Sequence, residues 1–166
     1  MESQELTTYD TEMIMGLVVA ITGTRQTEHH ELSWYAEIFD RYLGPWATPD
    51  TRWYIGGARG VDSLSLLWLA GNSRSGITVV VPGTVAQQPA DARQAMEQCR
   101  DRIDEIVELG AAELRTPAYH ARNRWMVDRS GVIAGFPLAG PEGVSGTWQT
   151  INYAAGQGKP RLIVPV

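Results

Sequence analysis

The chain predicts a three-layer α/β fold, with a mostly parallel central sheet of about six strands and helices on both faces. Three observations point to it. Short apolar runs rich in valine and isoleucine alternate with stretches of helical periodicity. Most of these runs end in glycine, proline or threonine, as strands do at a turn. The β-α order repeats along the whole chain, which is the signature of a parallel sheet wrapped by crossover helices.

The elements follow in order. Residues 1–13 read as a flexible tail, and residues 14–166 as a single domain. Leu17 to Ile21 is a buried parallel strand ending at Thr22-Gly23-Thr24-Arg25. Trp34, Tyr35, Ile38, Phe39, Tyr42 and Leu43 form a helix face, stopped by Gly44-Pro45. Trp53 to Ile55 is a second strand, leading into Gly56-Gly57-Ala58-Arg59-Gly60 and a largely buried helix through Leu69. Ile77 to Val81 is a β-branched strand closed by Pro82-Gly83-Thr84. The spacing of Ala92, Ala95, Met96, Cys99, Ile103, Ile106 and Val107 predicts one long helix from Asp91 to Leu109. A short strand over Ala112 to Arg115 and a helix over Tyr119 to Asp128 come next. Gly131 to Phe136 is a strand, Gly143 to Thr147 opens a helix to Ala155, and Leu162 to Val164 is the last strand.

Composition narrows the function. With 43% hydrophobic residues in 166, the chain can build a core. No apolar run approaches the roughly 20 residues that span a bilayer, so no membrane partner is expected. The first dozen residues lack a basic region followed by an apolar one, so no signal peptide is expected. The lone Cys99 sits on an apolar stripe and reads as a core residue, which fits a reducing cytoplasm. A net charge of -5 weighs against strong non-specific nucleic-acid binding. Lys159 is the only lysine, and its Gly-Lys-Pro setting does not match a phosphate-binding P-loop. Three histidines without ligand spacing, and no C-x-x-C, argue against a metal site.

The residues that carry chemistry cluster at strand ends, where open α/β sheets bind their ligands. Gly56, Gly57 and Ala58 expose backbone N–H groups, Arg59 can reach an anion, and Asp62 can hold that arginine or a sugar hydroxyl. The adjacent glycines do not match the dinucleotide G-x-G-x-x-G. Ser145-Gly146-Thr147 is an N-cap that either closes a helix or holds a phosphate. Gly23, Thr24 and Arg25, and likewise Pro82, Gly83 and Thr84, stand at further strand ends. Arg122 and Asn123 lie on a helix with Arg124. The two arginines point about 200° apart, so only one of them can face a ligand. Trp53 and Trp68 read as core, while Trp125 and Trp148 are open to packing or to stacking on a base.

Five of these motifs in this order resemble the Rossmann-like core of the SLOG superfamily, and its DprA/Smf branch in particular. They are I-T-G-T-R at 21–25, G-G-A-R-G-V-D at 56–62, V-P-G-T at 81–84, R-N-R at 122–124 and S-G-T at 145–147. The segment from Gly56 to Asp62 also looks like YspA-type proteins. The resemblance spans residues 17–165 and implies a nucleotide site lined by the residues named above, with no required cofactor. The ligand it implies is a nucleoside monophosphate, with a purine such as GMP among the candidates. DprA proteins bind single-stranded DNA and help load RecA, so such a strand is the alternative ligand, and a homodimer or higher homo-oligomer the expected assembly. DprA proteins usually carry a SAM-like or winged-helix module as well, and 166 residues are expected to hold the core alone. The LOG-type phosphoribohydrolases of the same superfamily carry P-G-G-x-G-T-x-x-E. Here Thr150 stands at the glutamate position. A threonine hydroxyl is no general acid or base at neutral pH. Asp62 and Asp128 are the remaining candidates for such a role, and a binding protein is expected rather than an enzyme.

Overall fold

The computed structural model describes residues 16–140 and 145–166. The expected tail, together with Gly143 and Val144, lies outside the described residues. Among the described residues six strands form one sheet: β1 (Val18–Gly23), β2 (Arg52–Gly56), β3 (Gly76–Val81), β4 (Glu105–Glu108), β5 (Val132–Phe136) and β6 (Arg161–Ile163). Their spatial order is β4-β3-β2-β1-β5-β6, and every neighbouring pair is parallel. Five α-helices among the described residues flank it: α1 (Leu32–Tyr42), α2 (Val61–Asn72), α3 (Ala90–Gln98), α4 (Thr116–Asp128) and α5 (Gly146–Gly156). This is the Rossmann-like α/β fold that the alternation predicts.

The strand period of two sorts side chains between two cores. Val19 and Ile21, Trp53 and Ile55, Ile77 and Val79 face α1, α2 and α3, where Tyr35, Phe39, Leu69 and Cys99 complete a large aromatic cluster. Trp53 and Trp68 belong to it. Phe39 meets Phe136 edge to face at 5.4 Å, and the Trp68 indole N–H donates to Asp40 Oδ1 at 2.8 Å. The opposite face is thinner. Ala20, Val80 and Ile133 meet Met126 and Val127 of α4 and Ala154 of α5. Large fully buried side chains each contribute about 1.5–3 kcal/mol. The first face therefore carries most of the hydrophobic stabilisation.

The region after α3 departs from its periodicity. The expected helix over 91–109 stops at Gln98, a 3₁₀ turn covers Arg100–Arg102, and Glu105–Glu108 is the edge strand β4. The expected strand at Ala112 to Arg115 is bent, irregular chain instead. Residues 99, 103 and 106–107 repeat at helical spacing, but the free edge of β3 offers a hydrogen-bonded alternative. Thr78 to Val81 pair with Glu105 to Glu108, and the Asp104 carboxylate accepts the Ile77 N–H at 3.0 Å. Sheet pairing thus overrides a local helical pattern. The charged Glu105 and Glu108 suit an exposed edge.

Strand order fixes where a ligand can enter. The chain runs outward from β1 through β2 and β3 to β4, then crosses to β5 on the other side of β1. The crevice between the carboxyl ends of β1 and β5 is therefore the topological switch point.

Candidate functional site

A cleft of about 520 Å³ opens at that switch point. Thr22 to Gln26, at the end of β1, form one side. Thr116, Tyr119, His120, Arg122, Asn123 and Met126 of α4 form the second, and Ser145 to Trp148 at the start of α5 form the third. Ala58 and Asp62 reach it from the β2–α2 turn, and Leu138 from the loop after β5.

The β2–α2 turn is built by close approach. Gly60 has φ of 77°, and a Cβ there would stand 2.5 Å from the Thr24 carbonyl oxygen. The two turns are therefore locked together, and the Val61 N–H donates to Thr24 O at 3.0 Å. At Gly56 a Cβ would come within 2.6 Å of both Arg122 Nη1 and Asp62 Oδ2. The missing side chain makes the space in which a buried guanidinium and a buried carboxyl approach each other.

Both groups are almost wholly buried, at 3% exposure for Arg122 and 7% for Asp62. Arg122 Nη1 donates to Val80 O at 3.3 Å, and its Nε donates to Asn123 Oδ1 at 2.7 Å. Asp62 accepts the Ala58 N–H at 3.3 Å. Among the described residues the two do not close a direct salt bridge. Burial raises the Asp62 pKa to about 6, while Arg122, the Ala58 N–H and Arg25 each pull it back. Burial lowers the Arg122 pKa, and Asp62 opposes that shift. Arg25 is exposed, with its guanidinium 4.4 Å from the centre of the Tyr119 ring. It adds to the repulsion that Arg122 feels. An anion between the two arginines would relieve that repulsion.

The start of α5 supplies the other half. The first N–H groups of a helix have no partner within it. Ser145 Oγ accepts one of them, from Trp148, at 3.2 Å. Among the described residues, a Cβ on Gly146 would meet nothing within 4 Å. The helix dipole favours negative charge at this end.

Of the residues expected in a pocket, Gly23, Thr24, Arg25, Ala58, Asp62, Arg122, Asn123, Ser145, Gly146 and Thr147 line the cleft. Gly56 and Gly57 are buried and do not line it; a Cβ on Gly57 would meet Val81, Met96 and Val79 of the core. Arg59 is exposed and does not line it. Neither do Pro82, Gly83 and Thr84, because β3 stands two strands from β1. Thr84 instead forms a capping box with Gln87. Arg124 is exposed on the far side of α4 from the buried Arg122. Thr150 is buried, and its hydroxyl donates to Gly146 O at 2.9 Å. Lys159 donates to the carbonyls of Val127 and Asp128 at the end of α4, at 2.5 and 3.2 Å.

Sequence reasoning missed Tyr119, although its place one turn before Arg122 on α4 was a usable signal. It missed Thr116 and Leu138 too, which carry no chemical signature. Trp148 lines the cleft, whereas Trp125 packs on Tyr54 at 5.6 Å and under Arg129 at 3.8 Å. Among the described residues there is no group of three potential metal ligands, and no helix is long and apolar enough to cross a membrane.

Comparison with solved structures gives a clear fold relative. The chain is similar to DNA processing protein A from Helicobacter pylori, with a TM-score of 0.66 at 19% identity. The match covers 94% of this chain and 68% of that one. The likeness is one of fold. No protein-family model matches the chain, and neither does any curated protein. The Helicobacter pylori structure was described for its single-stranded DNA binding mode.

Proposed function

We propose that the cleft binds the phosphate of a nucleotide and takes it as part of single-stranded DNA. One observation carries the reading. Arg25, the buried Arg122 and the open N-terminus of α5 border a single cleft at the switch point of the sheet. Two guanidinium groups and a set of helix N–H donors suit a phosphate diester, which presents acceptor oxygens and one negative charge. The strand is favoured over a free nucleotide by the likeness to DNA processing protein A.

Fluorescence anisotropy with a labelled 12-nucleotide strand tests this. Binding should appear at low salt and weaken as salt rises, with a slope of about 0.7 per phosphate contacted. Arg25→Ala should weaken it about tenfold, the loss of one charge-assisted contact. No complex at low salt defeats the strand reading.

A free nucleoside monophosphate is the second reading, supported by the net charge of -5, which opposes a long polyanion. It predicts that a mononucleotide raises the melting temperature as much as the 12-mer does. Assembly into a dimer would let two clefts follow one strand. The molar mass in solution, with and without the 12-mer, reads that directly.

A further inference from the structure

A second cavity of about 310 Å³ lies in the seam between α4 and α5, and it shares His120 and Asn123 with the main cleft. Its walls repeat one spacing. His120, Asn123 and Arg124 stand at i, i+3 and i+4 on α4, and Gln149, Asn152 and Tyr153 stand at i, i+3 and i+4 on α5. Such residues share one face of a helix, so the two triplets face each other across the seam.

The chemistry of the lining differs from that of the main cleft. It brings three carboxamides, one aromatic ring, one imidazole, one guanidinium and the Thr150 hydroxyl, which is bonded to Gly146 O, and no carboxylate among the described residues. Gln149 and Asn152 are exposed. Asn123 has its Oδ1 engaged by Arg122 Nε at 2.7 Å, so it offers its Nδ2 donors. The Tyr153 hydroxyl donates to Asp128 Oδ1 at 2.7 Å, which holds the ring in place. Flat rings with flanking amides recognise a nucleobase: the base stacks on the ring, and the amides bond its edge. Asn and Gln pair in two-point fashion with the exocyclic amine and N7 of adenine, and Arg pairs with O6 and N7 of guanine. Both pairings need the N7 that only a purine carries.

We propose that the α4–α5 seam is a purine-reading subsite, which takes the base attached to the phosphate held in the main cleft. The proposal rests on the phosphate reading above. The two cavities meet at His120 and Asn123, which are separated by about 4.5 Å along the axis of α4. That is the scale of the sugar joining a phosphate to its base. Asn123 joins them chemically, because it lines both cavities and accepts from Arg122.

The test compares six-nucleotide strands of deoxyadenylate and deoxycytidylate at one low salt concentration. The wild-type protein should prefer the adenine strand by about tenfold, the discrimination of one good two-point contact. The double variant Gln149→Ala/Asn152→Ala should lose that preference while keeping its melting temperature and its salt slope. Arg25→Ala should weaken both strands equally and keep the preference. Equal wild-type affinity for the two strands, or a preference that survives in the double variant, overturns the subsite and leaves the phosphate reading intact. Failure of the wild type to bind either strand overturns both.

Discussion

The two glycine-rich segments look alike in sequence and differ in how their glycines are used. In Gly56 to Gly60, glycine is required by crowding. Gly56 makes room for Arg122 and Asp62, Gly57 lies against Val81, and Gly60 lies against the backbone of Thr24. At Ser145 to Thr147, no described residue comes within 4 Å of a Cβ on Gly146. The first segment is internal scaffolding that sets a buried charge pair at the edge of the cleft. The second presents backbone donors to whatever enters. A glycine-rich turn therefore does not indicate ligand contact by itself. What a Cβ would meet decides which kind it is.

Gly60→Ala should break the scaffold most severely. It adds a methyl at φ of 77° and within 2.5 Å of a backbone oxygen that cannot swing away. The positive-φ, extended conformation of Gly60 costs a residue with a side chain about 1–3 kcal/mol, and overpacking adds about 1–3 more. Denaturant unfolding should show a loss of about 3–4 kcal/mol. An unchanged midpoint would refute the locked-turn account.

Next comes the charge pair. The Asp62 pKa is raised from 3.8 to about 6 in the fold, so the native state binds more protons than the unfolded chain between those values. Stability from this group is present below pH 4 and falls as pH rises through 6. Relative to Asp62→Asn, which cannot titrate, the wild type should lose about 3 kcal/mol at most between pH 4 and pH 7. Parallel stability curves for the two proteins across that range would show that Asp62 is not desolvated.

Gly56→Ala should cost about 2 kcal/mol, because the atoms it meets are side-chain tips that are confined rather than fixed. Its sharper signature is a displaced Arg122, and strand binding should fall with stability. Gly146→Ala marks the other end of the scale. With nothing within 4 Å among the described residues, it should stabilise the protein by about 0.5 kcal/mol through the unfolded chain. A loss as large as that of Gly56→Ala would erase the contrast between the segments.

Much of the site is legible in the sequence. Thr22 to Arg25, Arg122, Asn123 and Ser145 to Thr147 stand where strand ends and helix starts can be read from local pattern. The outward placing of Arg59 is not legible. It stands between Ala58 and the positive-φ Gly60, and the folded turn leaves it exposed while burying Asp62. The separation of Pro82 to Thr84 from the cleft is not legible either, for a different reason. They end a strand as clearly as the others do, but distance from β1 depends on strand order. The stretch 103–108 satisfies helical spacing and becomes a strand because β3 has an edge to pair.

By itself the sequence determined the alternation of strands and helices, the parallel sheet, and the small and charged residues at the strand ends. These are local matters of periodicity, turn chemistry and propensity, which act over a few residues. Tertiary structure alone decided the strand order, the meeting of Asp62 and Arg122 over Gly56, and the joining of two helix faces into a second cavity. Those depend on residues far apart in the chain: Arg122 reaches a carbonyl 42 residues away, at Val80. Burial then does what composition cannot: it raises the pKa of one carboxyl and confines one arginine of the fourteen basic side chains.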